Sequence, residues 1–202
     1  MLYLHGMGHF HPGNIISNQF LVDLDIGTSH EWIEERVGIR NRRTVLDLDY
    51  IRKTKNADFR AAYEARQYKN AQMAALAARQ ALERAGLKKE DIGMVVAGSS
   101  SPDNIAPAES SAVAAELDIE VPCLDMNSAC SSFGMQINFL SKMNPETLPP
   151  YVLVVDSESL TKSVNYADRS AAVLFGDGSA AAVVSTKVPS HAVFCGCCYD
   201  SR

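Results

Sequence analysis

Short apolar runs alternate with segments of helical periodicity along most of the chain. The runs at residues 2–7, 94–97, 122–126 and 151–155 are bounded by glycine, proline or polar turn residues. Runs of this length and composition predict β-strands. Because these strands are short and mostly apolar, they predict a sheet that helices cover on both faces.

Several segments carry the signals of helices. Thr28 and Ser29 are N-cap candidates for a helix with acidic residues in its first turn and Gly38 at its end. A second, alanine-rich helix is followed by a glycine that favours a C-terminal stop. The predicted helices span residues 30–36, 69–85 and 108–117.

The segment 126–141 contains no charged residue, and its apolar residues cover most of the circumference of a helix. Such a helix is typical of a buried central position. Residues 45–67 are polar and weakly periodic, which indicates an exposed, partly helical excursion. Residues 171–175 and 180–185 flank a Gly-Asp-Gly turn and predict a β-rich section. The alternation of strands and helices predicts an α/β layered fold.

Composition and charge narrow the class of protein. The chain has 202 residues, of which 47% are hydrophobic and 21% charged, as in an ordinary globular protein. A net charge of −5 argues against nucleic-acid binding. No stretch is long and apolar enough to span a membrane. Residues 1–7 lack the basic start and cleavage pattern of a signal peptide, so we expect a first strand and a cytoplasmic protein.

Cysteine and histidine residues cluster in two places, but neither cluster predicts a metal site. The Cys-x-Cys-Cys run at residues 195–198 has no standard zinc spacing and no obvious fourth ligand, so small buried side chains are the simpler interpretation. His5, His9 and His11 surround glycines without a nearby carboxylate, so we expect structural or surface roles. We therefore predict no bound metal.

Cys130 is the strongest candidate for chemistry. It follows the apolar run 121–126 and a turn of small residues, and it precedes the uncharged helical segment. This pattern places Cys130 near the first turn of a helix, where unpaired N–H groups and the helix dipole favour a thiolate. A thiolate there is a candidate nucleophile that carries an acyl group as a thioester. The alternative is a buried, inert cysteine.

Five motifs in order resemble the N-terminal half of a ketoacyl-acyl-carrier-protein synthase III, in the thiolase-like superfamily. Each motif alone is weak evidence, but their order over residues 1–190 is specific. The motifs are Thr28-Ser29-His30-Glu31-Trp32-Ile33 with Arg36 and Gly38-Ile39-Arg40-Asn41-Arg42-Arg43, Ser100-Ser101-Pro102-Asp103 with Pro107, Ser128-Ala129-Cys130-Ser131, Asp168-Arg169, and Leu174-Phe175-Gly176-Asp177-Gly178.

The resemblance implies a thiolase-like half: a mixed five-stranded sheet covered by helices on both faces, with a buried central helix starting near Cys130. It divides the chain into this domain, residues 1–186, and the incomplete start of a second half, residues 187–202. It also implies a homodimer, or else a partner chain that carries the second half.

The activity implied by the resemblance is condensation of an acyl-CoA with a malonyl thioester, which forms a 3-oxoacyl thioester through acyl-Cys130. Fatty acid or specialised polyketide biosynthesis would use this step. Acyl-CoA and an acyl carrier protein are the implied partners, acyl-CoA being a substrate and not a resident cofactor. The family's catalytic His and Asn lie in the second half, and the setting of His191 does not match that His motif.

Four residues match family positions that bind CoA. Trp32 matches a residue that stacks on adenine, and Arg36 matches a phosphate contact. Thr28 opens the same motif, and Lys162 falls near a basic position that meets the CoA phosphates. Without the resemblance, Trp32 would be interpreted as a core residue and Arg36 as a solvated charge.

Departures from the family pattern leave the substrate open. Val37 replaces a common threonine, Ser132 a common glycine, and Ala106 a bulky phenylalanine that closes the acyl pocket. The small Ala106 predicts a longer, branched or aromatic acyl group. Acyl transfer without decarboxylation and a non-catalytic partner subunit remain the alternative functions.

Overall fold

The computed structural model describes residues 1–195. In chain order its strands are β1 (Leu2–Phe10), β2 (Asn14–Ser17), β3 (Asn41–Thr44), β4 (Ile92–Gly98), β5 (Cys123–Asp125), β6 (Tyr151–Glu158), β7 (Gly178–Ser185) and β8 (Ala192–Phe194). Its α-helices are α1 (Asn18–Asp23), α2 (His30–Val37), α3 (Leu48–Thr54), α4 (Phe59–Ala65), α5 (Asn70–Ala85), α6 (Glu109–Leu117), α7 (Ser132–Lys142) and α8 (Arg169–Ala172).

The chain forms two compact units. The first, which we call the sheet unit, comprises Met1–Phe10, Asn70–Glu158 and, among the described residues, 179–195. The second, the helical unit, comprises His11–Lys69 and Ser159–Gly178. A boundary at residue 187 between two thiolase-like halves stays a prediction.

The sheet unit is built on one six-stranded mixed sheet in the order β5-β4-β6-β7-β1-β8. β4 pairs in parallel with β5 and β6, whereas β1 pairs in antiparallel fashion with β7 and β8. The predicted mixed sheet is therefore confirmed, with one strand more than expected because β8 adds to the edge at β1.

Helices cover both faces of this sheet, as predicted. The side chains of β6 alternate between the two faces. Leu153 and Val155 belong to a core with α5 and α6, and Val152 and Val154 pack with Ile137 of α7 and its neighbours. Because both faces are covered, the apolar runs of the sequence form the centre of the unit.

The close packing of α5 on β1 depends on two glycines. A Cβ added to Gly8 would overlap the backbone of Ala77 and Ala81, and one added to Gly6 would overlap the backbone of Ala81 and Ala85. The alanines of α5 have small side chains, so they also leave room for the strand to approach the helix backbone. Small residues on both elements therefore allow the helix and the strand to approach closely.

The helix α7 differs from its prediction. A buried central helix was expected to start near Cys130, and the α-helix does begin close to that position, at Ser132 after a 3-10 turn, but it is less buried than expected. One side of α7 packs on the sheet, whereas Phe133 and Phe139 remain exposed, the latter at 45%. The prediction was wrong for these residues because, within residues 1–195, the apolar circumference is covered on one side alone.

Helix ends in the helical unit follow the sequence signals. The Ser29 side chain accepts a hydrogen bond from the Trp32 N–H, and Gly38 ends α2 in the left-handed region with φ of 68°. The excursion at 45–67 contains α3 and α4. The strand predicted at 171–175 is wrong, because Asp168 caps the short helix α8 there through the Ser170 N–H.

Buried polar groups organise the helical unit. The Arg42 guanidinium donates to the carbonyl of Val173 and to Asn18 Oδ1, and burial lowers its pKa. The carboxylate of Asp177 accepts hydrogen bonds from the backbone N–H groups of Val45 and Thr161. The Gly-Asp-Gly motif therefore ties together segments that are far apart in the sequence.

Candidate active site

Cys130 lies between a strand and a helix of the sheet unit. β5 leads through residues 126–128 into the 3-10 turn Ala129–Ser131, and α7 begins at Ser132. This confirms the predicted position of the cysteine beside the first turn of a helix. Cys130 is exposed to solvent, so the interpretation as a buried cysteine is wrong.

The turn before Cys130 is held by its own polar groups. Ala129 has a φ of 48°, in the left-handed region that costs a residue with a Cβ about 1 kcal/mol. Asn127 Oδ1 accepts a hydrogen bond from the Ala129 N–H at 2.9 Å. Ser132 Oγ accepts one from the Ser128 N–H at 2.9 Å. These contacts offset the backbone strain and fix the chain next to the thiol.

Ser132 has a structural role that a glycine there could not fill. Besides accepting from Ser128, its hydroxyl lies 2.8 Å from the carbonyl oxygen of Ala129. The side chain is buried. The departure from the family pattern at this position therefore adds a tie across the turn.

A second polar group lies on the α7 face of the sheet. Gln136 is fully buried, and its Nε2 donates to Asp156 Oδ1 at 2.8 Å and to the Met126 carbonyl at 3.0 Å. Asp156 stands at the carboxyl-terminal part of β6. Desolvation by burial raises its pKa to about 6, opposed by the hydrogen bond from Gln136, and the charge of Glu158 raises it further.

Gly98 at the end of β4 leaves the space that the side chains of Gln136 and Asp156 occupy. A Cβ at Gly98 would overlap Asp156 Oδ1, Gln136 Nε2 and Ser132 Cβ. The glycine, the amide and the carboxyl group thus fit together as one arrangement beneath the turn of Cys130.

The loop after β4 is also anchored by carboxylates. Glu158 accepts hydrogen bonds from the Ser100 N–H at 2.7 Å and the Ser101 hydroxyl at 2.5 Å. Asp103 Oδ2 accepts from the Asn70 N–H at the start of α5. The tip of this loop, including Ala106, is exposed. The motif Ser100-Ser101-Pro102-Asp103 therefore shapes the loop through its hydrogen bonds.

The predicted CoA-binding residues lie in the helical unit. Trp32 is half-buried on α2, and the guanidinium of Arg169 lies 4.8 Å from its ring centroid. Arg36 is exposed on the same helix. The Oγ1 of Thr28 is buried and has no hydrogen-bond partner among residues 1–195. Among the predicted CoA-binding residues Thr28, Trp32 and Arg36, the positive charge that solvent reaches is therefore that of Arg36.

Lys162 has a different environment. Its side chain is 1% exposed, and its Nζ lies 4.9 Å from the centroid of the Tyr63 ring. The guanidinium of Arg66 lies 4.8 Å from the same centroid. A buried lysine presents almost no surface to a phosphate, so CoA binding by Lys162 would require its surroundings to rearrange.

Neither a metal site nor a membrane span is found within residues 1–195. Residues 1–195 contain no group of three or more His, Cys, Asp or Glu side chains placed to hold a metal ion. Their helices include none with the length and hydropathy of a membrane span. His5 packs edge-on against Tyr151. Cys197 and Cys198 lie outside the described residues.

Comparison with known proteins finds similarity between this chain and ketoacyl synthase III proteins. The family model of 3-oxoacyl-[acyl-carrier-protein] synthase III matches residues 124–198, which include Cys130. The β-ketoacyl-[acyl-carrier-protein] synthase III of Clostridium botulinum (strain Langeland) is 32% identical over 181 residues, which cover 89% of this chain and 49% of that protein.

Solved structures agree in fold. The 3-oxoacyl-[acyl-carrier-protein] synthase III of Aquifex aeolicus VF5 has a TM-score of 0.77 at 30% identity, covering 93% of this chain and 54% of that one. The chain is a ketoacyl synthase III-like protein with the thiolase fold. The priming β-ketosynthase of the R1128 polyketide pathway gives a TM-score of 0.73 at 31% identity, with 94% and 51% coverage. The chain spans about half the length of the curated relatives it matches.

For this ketoacyl synthase III-like protein, sequence reasoning missed Gln136 and Asp156. Two signals could have found them. Gln136 is a polar residue inside an otherwise apolar stretch, and Asp156 directly follows the buried run 151–155. Carboxyl ends of parallel strands often carry functional side chains. Their meeting, however, depends on the packing of α7 against β6.

Proposed function

We propose that this ketoacyl synthase III-like chain carries the nucleophile of an acyl-CoA-dependent condensing enzyme. The observation that carries the proposal is the exposed thiol of Cys130, on a strained and hydrogen-bonded turn at the start of α7. The match of the family model to this segment supports the same role.

In the proposed reaction the Cys130 sulfur attacks the carbonyl carbon of an acyl-CoA. A new C–S bond forms, the bond to CoA breaks, and CoA leaves as the thiol with the proton that the cysteine has lost. A malonyl thioester then loses carbon dioxide, and the freed electron pair forms a C–C bond to the acyl carbon. The bond to Cys130 breaks, and the sulfur takes up a proton.

Both steps develop negative charge on a thioester oxygen, which needs hydrogen-bond donors. The backbone N–H of Cys130 is our candidate for one donor, since it lies just before α7, where the helix dipole favours an anion. By resemblance, the other donors are a His and an Asn. The same resemblance leads us to include an acyl carrier protein as partner, a homodimer and a cytoplasmic location in the proposal.

Intact mass after incubation with acyl-CoA tests the nucleophile. We expect the native chain to gain the mass of one acyl group, and Cys130→Ala to gain none. Cys123→Ala and Cys195→Ala are matched controls, which should be acylated within twofold of the native rate. Cys123 should be inert, because burial raises the pKa of its thiol. Cys195 is exposed but lies outside the turn.

A mass gain that survives Cys130→Ala would overturn the assignment, and so would a native chain that gains no mass. Competition between acetyl-CoA and longer or branched acyl-CoA in the same assay tests the interpretation of Ala106. Preference for acetyl would count against a large acyl group.

The proposed contact of Arg36 with CoA phosphates predicts a separate effect. We expect Arg36→Ala to raise the acyl-CoA concentration for half-maximal acylation about tenfold, because a hydrogen bond between charged groups is lost. The maximal rate should not change. Arg60→Ala, at another exposed arginine of the helical unit, is the control. Equal effects of the two substitutions would refute a specific contact.

A further inference from the structure

Gln136 connects the strand β6 to the start of the turn that carries Cys130. Its Nε2 donates to Asp156 Oδ1 on β6 and to the carbonyl of Met126, which directly precedes the turn. The Met126 N–H is held in turn by the Ala97 carbonyl of β4. Both polar groups of the Met126 backbone are therefore fixed by the sheet unit.

The orientation of the Gln136 amide is determined by its neighbours. The carboxylate of Asp156 and the carbonyl of Met126 are both acceptors, so the NH₂ group must face them and not the oxygen. The opposite atom, Oε1, is buried without a hydrogen-bond partner among residues 1–195. The amide thus keeps its two donor bonds at the cost of an unsatisfied acceptor.

Packing alone does not require polar residues at these two positions. The neighbouring side chains on this face are Val152, Val154 and Ile137, and an apolar side chain would avoid the cost of desolvating an amide and a carboxyl group. Gly98 moreover leaves the space that the pair occupies. What the polar pair adds is two directional bonds in series, which link Asp156 on β6 through Gln136 to the carbonyl of Met126.

We propose that Asp156 and Gln136 are positioning residues for Cys130. The carboxylate orients the amide, and the amide fixes the carbonyl from which the strained turn begins. Ser132 completes the arrangement from the other end of the turn, through its bond with the Ser128 N–H. In catalytic terms this inference rests on the proposed function, since positioning matters for a nucleophile that must approach a carbonyl carbon in one geometry.

Gln136→Leu removes both donor bonds while keeping a side chain of similar size. We expect hydrogen exchange of the backbone amides in residues 127–132 to become about tenfold faster, as for the loss of a charge-assisted hydrogen bond. The maximal rate of Cys130 acylation should fall between about tenfold and a hundredfold, as for a small misplacement of a reacting group. The half-saturating acyl-CoA concentration should stay within twofold.

Two further variants separate positioning from general destabilisation. Asp156→Asn keeps a carbonyl acceptor for Gln136. Its hydrogen exchange in residues 127–132 and its maximal acylation rate should therefore stay within about threefold of the native values. Ser141→Ala, a control on the same helix whose hydroxyl bonds within α7, should change neither. If Gln136→Leu does not fold, Asp156→Leu provides the same comparison, because it removes the acceptor that orients the amide.

Unchanged exchange in residues 127–132 of Gln136→Leu would overturn the proposal, as would an equal change in Ser141→Ala. Failure of the native chain to react with acyl-CoA would refute the proposed function instead. The hydrogen-exchange measurement needs no substrate. It would therefore still show whether Gln136 and Asp156 stabilise the turn at residues 127–132.

Discussion

Asp156 has consequences for stability as well as for the local geometry. It lies on the α7 face of β6, next to apolar neighbours, and accepts one hydrogen bond from Gln136. Desolvation raises its pKa from 3.8 in a free carboxyl group to about 6. The folded chain therefore retains a proton that the unfolded chain releases over this interval of pH, and stability depends on pH accordingly.

The sign of this dependence can be tested with Asp156→Asn. The stabilising contribution of Asp156 is fully present below about pH 4 and is lost as pH rises through about 6, because the carboxyl group ionises inside the fold. Relative to the native chain, the variant should gain on the order of 2 kcal/mol in unfolding free energy between pH 4 and 7, allowing for partial exposure. Urea unfolding at several pH values measures the difference, and parallel curves would contradict it.

At the scale of elements, α5 and β1 show how composition determines the distance between a helix and a strand. Gly6 and Gly8 on β1 face the backbone of α5. The helix presents alanines to the same surface, and nine of its residues are buried. A single added methyl group at this contact must displace backbone, which cannot move without disturbing the whole helix.

We therefore expect Gly8→Ala to lower the free energy of unfolding by about 3 kcal/mol, through overpacking against the backbone of Ala77 and Ala81. Gly134→Ala on α7 is the matched control, since nothing lies within 4 Å of its added Cβ. That substitution should raise stability by about 0.5–1 kcal/mol, because alanine favours a helix over glycine. Denaturant unfolding of both variants gives the comparison, and equal losses would contradict the packing argument.

At the scale of the whole molecule, the candidate chemistry divides between the two units. The sheet unit carries Cys130, and the helical unit carries Trp32, Arg36, Thr28 and Lys162. The order of the family motifs predicts this combination from the sequence, because the motifs extend over nearly the whole chain. The chain spans about half the length of the curated relatives, so the complete reaction remains a proposal.

Hydrophobic periodicity, helix caps and motif order by themselves predicted five strands of the six-stranded sheet, several helices, the resemblance to ketoacyl synthase III and the position of Cys130 beside a helix. These signals are local, so the residues that carry them lie close together in the sequence. Tertiary structure decided the rest. The burial of Lys162 beneath Tyr63 and the meeting of Gln136 with Asp156 depend on contacts between elements far apart in the chain. Strand order and helix packing determine such contacts, and local patterns do not encode them.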